Sequence, residues 1–196
     1  MKIRVETEHL SLGVIRLTGI SLPEEYTPPE PPADPDDDVA VARAMYRAIG
    51  QDPTRNRPSS EALLRRLKKG LGLPRVNALV DELNVCSVTL LLPFGCYDTD
   101  KIAGDVVCRL GEEGEGFEGV GNRHVNVGGR YTIADDHGPF GNPSMDSRRT
   151  CITPGCRNAL VTIFAPPDYA HDRLEWIAGK LINAVGGEYE TQILRA

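Results

Sequence analysis

The chain has 196 residues, 40% of them apolar, and carries 28 acidic against 22 basic side chains for a net charge of −6. A chain of this length buries roughly 70% of its unfolded surface without a metal or disulfide staple, and its negative balance argues against a general DNA or RNA binder. No segment approaches the ~20 consecutive apolar residues of a membrane helix, and the opening MKIRVETEHL lacks the apolar core of a signal peptide, so a cytoplasmic protein with no membrane partner is expected.

In chain order, residues 3–7 and 14–20 predict strands, the first by its alternation. Residues 22–35 are too proline-dense for a helix or a central strand and predict an extended surface strap. Asp36, Asp37 and Asp38 suit a helix N-terminus, and that helix is expected to run to Ile49 and stop at Gly50. A second helix starts at Ser59 or Ser60 and ends at Gly70, with its basic residues outward. A third is predicted over 74–84, with Pro74 in its first turn and Val76, Leu79, Val80 and Leu83 as its buried face. The apolar run 87–94 predicts a buried strand, followed by strands at 105–110, 130–134 and 159–165. A last helix over 168–185 and a strand at 188–194 close the chain. Runs of strands around a block of helices indicate an α+β fold: a single domain over 1–196 with a mixed or antiparallel sheet and flanking helices.

Few short motifs carry chemistry. The five cysteines, Cys86, Cys96, Cys108, Cys151 and Cys156, form no CxxC pair and fit neither a disulfide framework nor a zinc ribbon. The four histidines share no metal-binding spacing, so no metal and no cofactor is expected. The glycine-rich 114–121 does not open a helix, as a dinucleotide fingerprint must, and is expected to be a solvated loop. Asp135, Asp136 and His137 suit an acidic turn after a strand.

Two segments are less easily placed. On the helix at 74–84, Asn77, Asp81 and Asn84 share a face, with Arg75 just before them. Such a ladder either ties down neighbouring loops or lines a pocket, and Asp81 is suited to hold Arg75 or a backbone turn. The segment 145–158 delivers Asp146, Ser147, Arg148, Arg149, Thr150 and Thr153 to the entrance of a buried strand, a common place for a site. Its arginines can hold phosphate or carboxylate by forked hydrogen bonds, or form a solvated basic loop.

Several motifs in order, RPSSEALLRR, GLPRVNALVDELN, LPFGCYDTDKI, GDVVCRL, TIADD and SRRTCITPGCRNALVTIF, together resemble the tRNA-editing (B3/B4) domain of the phenylalanyl-tRNA synthetase beta subunit, in a stand-alone form. The resemblance spans about residues 40–165. It implies an α+β fold, no aminoacylation core, and hydrolysis of a wrongly attached amino acid from tRNA by water, with the site supplying orientation and oxyanion donors. The implied partner is tRNA or aminoacyl-tRNA, with no DNA. The implied activity is that of an aminoacyl-tRNA deacylase. A non-catalytic tRNA-binding module and a binder of small amino-acid-like ligands remain as alternatives. The chain departs from the family's pattern at Gly95, where the family usually carries a His, and at Arg148, near the family's Glu. Within this resemblance Arg75, Asn77 and Asp81 are expected to shape the pocket floor. Arg148, Arg149 and Thr150, with Asp146 beside them, are expected to meet the acceptor phosphate or the substrate's carboxyl oxygen, and Thr162 and Phe164 to line the amino-acid side. Replacing Asn77 and Arg149 together by Ala is expected to spare the fold and abolish ligand binding.

Overall fold

The computed structural model describes residues 1–32, 39–168 and 171–196. In chain order its elements are β1 (Ile3–Val5), β2 (Ser11–Thr18), α1 (Ala40–Ala48), α2 (Ser59–Lys68), α3 (Ala78–Leu90), β3 (Phe94–Asp98), β4 (Val106–Leu110), β5 (Gly116–Gly119), β6 (Arg123–Asn126), β7 (Tyr131–Asp135), β8 (Gly138–Asn142), β9 (Met145–Asp146), β10 (Ala159–Ala165), α4 (His171–Val185) and β11 (Glu188–Leu194). The mixed α+β class is the one expected. The expected helix start at Asp36–Asp38 lies outside the described residues.

The strands divide into a five-stranded sheet ordered β1-β4-β7-β8-β9, a four-stranded sheet ordered β11-β2-β10-β3, and the hairpin β5-β6. Only β1 and β4 run parallel among the paired strands of these sheets. Strand β10 explains the layering. Leu160 and Phe164 enter a core with Val106, Ile133 and Phe140 of the five-stranded sheet. Val161, Ile163 and Ala165 enter a second core with Leu79 and Leu83 of α3 and Leu174, Ile177 and Leu181 of α4. A strand covered on both faces must read as an unbroken apolar run, as ALVTIFA does. The molecule is therefore sheet on sheet on helices.

The region around α3 departs from the sequence expectation. Of the buried strand predicted at 87–94, residues 87–90 are instead the last turn of α3 and 91–93 the turn after it, and β3 begins only at Phe94. Nine of the helix's residues are buried, so its sequence lacks a polar stripe, and a buried helix cannot be told from a buried strand by periodicity. Ser87 and Thr89 fit the helix because their hydroxyls bond to main-chain carbonyls, Ser87 to Leu92 at 2.7 Å and Thr89 to Val85 at 2.8 Å. Leu91 ends the helix in the left-handed region at φ 53°. At the other end Pro74 precedes the helix. Asn77 caps it, its side chain accepting from the Val80 amide at 3.0 Å. Val76 is consequently exposed rather than part of a buried face.

The glycine-rich segment expected as a solvated loop folds into the β5-β6 hairpin, turning through Gly121 and Asn122, both at positive φ. The hairpin is stitched to β9 and the residues after it: the Val120 amide donates to Asp146 O at 3.0 Å and the Arg148 amide to Glu118 O at 2.8 Å. Asp135 to Gly138 form the acidic turn expected between two strands.

Candidate functional site

Where the N-terminal half of α3, the start of β3 and the β8–β9 turn converge, they leave a cleft of about 350 Å³. Val80, Leu83, Asn84 and Ser87 face it from α3 and Val76 from the segment just before the helix, with Gly95 and Cys96 from β3; Val120 overhangs it from the hairpin and Asp146 lines it from β9. The spacing of Val80, Asn84 and Ser87 is that of one helix face. Asn84 makes no side-chain hydrogen bond to a described residue.

At the base of this cleft polar groups are left without partners. Asp146 Oδ2 accepts from the Cys96 amide at 3.2 Å. Asp146 Oδ1, the Tyr97 hydroxyl and Thr162 Oγ1 are buried beside one another, and none completes a hydrogen bond of ordinary geometry. Burial pushes the Asp146 carboxyl up to about 7, against the opposing pull of the Cys96 amide and Tyr97. The same burial holds the Cys96 thiol and the Tyr97 phenol well above their ordinary values. Buried polar atoms are ordinarily paired, so unpaired ones at the foot of a cleft mark a place where a ligand can complete them.

A second, larger cleft of about 590 Å³ shares Ser144 and Met145 with the first as a common wall. That wall is fixed by Asn142, whose side-chain oxygen accepts from the amides of both Ser144 and Met145 at 2.8 Å. Four arginines line the larger cleft: Arg55, Arg57, Arg123 and Arg130.

The nine residues expected at the site separate into groups. Asp146 lines the first cleft, and Thr162 lies beneath it, where a Cβ on Gly95 would come within 2.9 Å of its hydroxyl. Arg75 and Asp81 form an ion pair at 2.7 Å, and Asp81 also accepts from the Val76 amide. Arg75 further donates to the Tyr26 carbonyl, tying the proline-rich strap to α3. Together with the Asn77 cap these residues shape the helix start beside the cleft. Arg149 makes a two-pronged pair with the buried Asp135 at 2.8 and 2.9 Å and lies over the Phe140 ring. Burial raises the Asp135 carboxyl, but Arg149 and the Ala103 and His137 amides outweigh it and leave it below its ordinary value. Arg148 donates to Asn122 of the hairpin at 2.6 Å, and Thr150 is buried against Ser147. Phe164 sits in the core between the sheets and lines neither cleft. Sequence reasoning did not pick out Tyr97, Ser144 or Met145. Tyr97 had a signal, two residues after Gly95 on one strand and so on the same face. The β8–β9 turn had none, because its role comes from tertiary packing. All five cysteines are unpaired thiols, and among the described residues no group of three or more His, Cys, Asp or Glu is arranged to hold a metal ion. No described helix is long and apolar enough to cross a membrane.

The fold defines an α+β domain that carries two adjoining clefts. Residues 41–172, which span α1 to the start of α4 and include both clefts, match the B3/4 domain family, and the chain belongs to that family. The phenylalanine–tRNA ligase beta subunit of Bartonella henselae is 31% identical over 129 residues, covering 64% of this chain and 16% of that protein. The beta subunit of Brucella abortus is 34% identical over 86 residues, covering 43% of this chain and 11% of that protein. The chain thus spans a small part of these relatives' length. An N-terminal fragment of the phenylalanyl-tRNA synthetase beta subunit from Pyrococcus horikoshii shares the fold, with a TM-score of 0.51 over 96% of this chain and 50% of that one at 13% identity.

Proposed function

We propose that the protein binds the aminoacyl end of an aminoacyl-tRNA in the Asp146 cleft and hydrolyses its ester in the cytoplasm, clearing mischarged tRNA. Membership of the B3/4 family and similarity to synthetase beta subunits support the reading. The observation that carries it is the buried, half-satisfied Asp146 carboxyl at the foot of a cleft of about 350 Å³, within the usual range for a small-molecule site. Water is the attacking group. Its oxygen adds to the ester carbon, the bond to the ribose oxygen breaks, that oxygen takes up the proton the water gives up, and the amino acid leaves the tRNA 3′ end. The cleft supplies no activated nucleophile: Ser87 is bonded to Leu92 O, Ser144 to Arg57 O, the buried Ser59 hydroxyl has no base bonded to it, and burial keeps the Cys96 thiol protonated. Asp146 acts in recognition. A carboxyl that titrates near neutrality can accept from, or donate to, a polar group of the bound amino acid.

The test is deacylation of a panel of tRNAs, each carrying a right and a wrong amino acid. One mischarged species should turn over, and Asp146→Leu should abolish that turnover while Asp146→Asn, which keeps a hydrogen-bonding group, retains part of it. No turnover of any species, with equal binding by wild type and Asp146→Leu, would refute the reading. The acidic balance of −6 favours a second reading, a free amino-acid-like ligand without RNA. Ligand binding in that case would depend little on salt.

A further inference from the structure

The arginine-lined cleft lies outside the chemistry assigned to Asp146. Its lining includes Arg55, Arg57, Arg123 and Arg130 and no carboxylate, on a chain whose net charge is −6. Two of the four are committed: Arg57 to Glu61 at 3.3 Å, and Arg55 loosely to Asp52 at 3.8 Å. Arg123 and Arg130 have no side-chain partner among the described residues. One comes from β6 and the other from the turn before β7, so the fold gathers charges that the sequence scatters. The side chains of Asn56 and Asn126 add hydrogen-bonding amides to the same walls.

The cleft's aromatic residues narrow the ligand. Tyr46 and Tyr131 line it, yet they are only 5% and 2% exposed, and their hydroxyls are engaged by Ser144 and by the Met45 carbonyl. Neither ring offers a face for a base to stack on. His124 also lines the cleft, an exposed imidazole whose Nδ1 is paired with Glu118 at 3.0 Å, so a single small ring is open to a base. A cleft with unpaired arginines, amides and one imidazole reads phosphates and sugars before bases. Its wall at Ser144 and Met145 is also the wall of the Asp146 cleft, so the two clefts adjoin.

We infer that this cleft holds the sugar–phosphate backbone of a single RNA strand leading to the Asp146 cleft, with Arg123 and Arg130 as the phosphate contacts, and that it does so without regard to base sequence. The inference rests on the aminoacyl-tRNA reading for the identity of the strand. The strand's 3′ terminus lies across the Ser144–Met145 wall and its upstream phosphates lie in the arginine cleft.

The test uses the full chain and a short RNA strand carrying no amino acid, with affinity followed by fluorescence anisotropy over a salt series. The wild type should bind more weakly as salt rises. Arg123→Gln with Arg130→Gln should lower affinity roughly tenfold and flatten the log–log salt slope by about 1.4, the share of two single-strand phosphates. A strand of permuted sequence should bind as well as the first. A matched exposed pair at the C-terminal end of α2, Arg65→Gln on the helix with Lys69→Gln at its cap, should bind like wild type, and unchanged thermal unfolding of both double variants excludes a folding defect. Equal affinity and slope in the Arg123/Arg130 variant, loss of binding in the α2 variant instead, or a strong preference between strand sequences would each overturn the inference. Because the strand is uncharged with amino acid, none of these outcomes depends on the Asp146 chemistry. Failure of that chemistry shows separately, in the mischarged-tRNA panel.

Discussion

A Cβ on Gly95 would lie 2.1 Å from the Tyr97 hydroxyl, and one on Gly141 would lie 2.2 Å from the same atom. Neither glycine has a positive φ, so space and not backbone freedom excludes a side chain. The two glycines let the Tyr97 ring reach between the sheets, where it meets Phe140 edge-on at 4.8 Å, and bring its hydroxyl to the foot of the Asp146 cleft. Gly95→Ala should therefore act as overpacking. Tyr97 or Thr162 must move, at a cost of about 1–3 kcal/mol. Urea unfolding reads this as a lower midpoint at unchanged slope, and a midpoint equal to wild type would mean that the ring shifts freely. The Gly95–Tyr97 pair was legible as two residues on one strand face. Gly141 was not, because its strand is five residues of glycine, proline and asparagine around a single phenylalanine, without the apolar alternation that marks a strand.

The element that most separates sequence from structure is α3. Asp81 holds both Arg75 and the Val76 amide, the role its place beside Arg75 suggests. The sequence places the helix over 74–84, ending it six residues before Leu90, because Pro74 draws the start forward and the apolar run after Asn84 resembles a strand. Among the signals for the true boundaries were the Asn77 cap and Pro93, just beyond the left-handed Leu91. The same geometry revises the Asn77/Arg149 double replacement. Asn77 caps a helix and Arg149 neutralises a carboxylate with no side-chain exposure, so neither change spares stability. Asn77→Ala should cost about 1 kcal/mol. Arg149→Ala, which strands a buried charge, should cost roughly 3–5 kcal/mol. The two sites share no partner, so the losses should add in chemical denaturation. A double variant as stable as wild type would show that both contacts are dispensable.

At the scale of the whole molecule, the buried and half-buried carboxyls oppose one another with pH. Hydrogen bonds from Arg43 hold Glu61 below its ordinary value, and those from Arg109 do the same for Glu115. Asp135 is lowered too, where Arg149 and two amides overcome burial. Each of these contributes stability that is present above the unfolded carboxylate range and is lost as pH falls through the lowered folded value. Asp146 has the reverse sign. Raised by burial to about 7, it keeps its proton in the folded chain after the unfolded chain has released it. From about pH 4, the unfolded value, up to about 7, the folded state therefore binds more protons, and stability falls as pH rises, by no more than roughly 4 kcal/mol in all. The two limbs place the stability maximum on the acid side of neutrality, at about pH 4–5. Thermal unfolding across pH should show Tm declining toward neutrality and levelling above it in the wild type, with that decline missing in Asp146→Asn while the acid limb persists. A wild-type Tm that rises between pH 5 and 7 would mean that Asp146 is ionised in the folded chain. The same experiment bears on the cleft, because a ligand that favours the carboxylate form, as a cation does, must lower the folded value and flatten the neutral limb in proportion to its affinity.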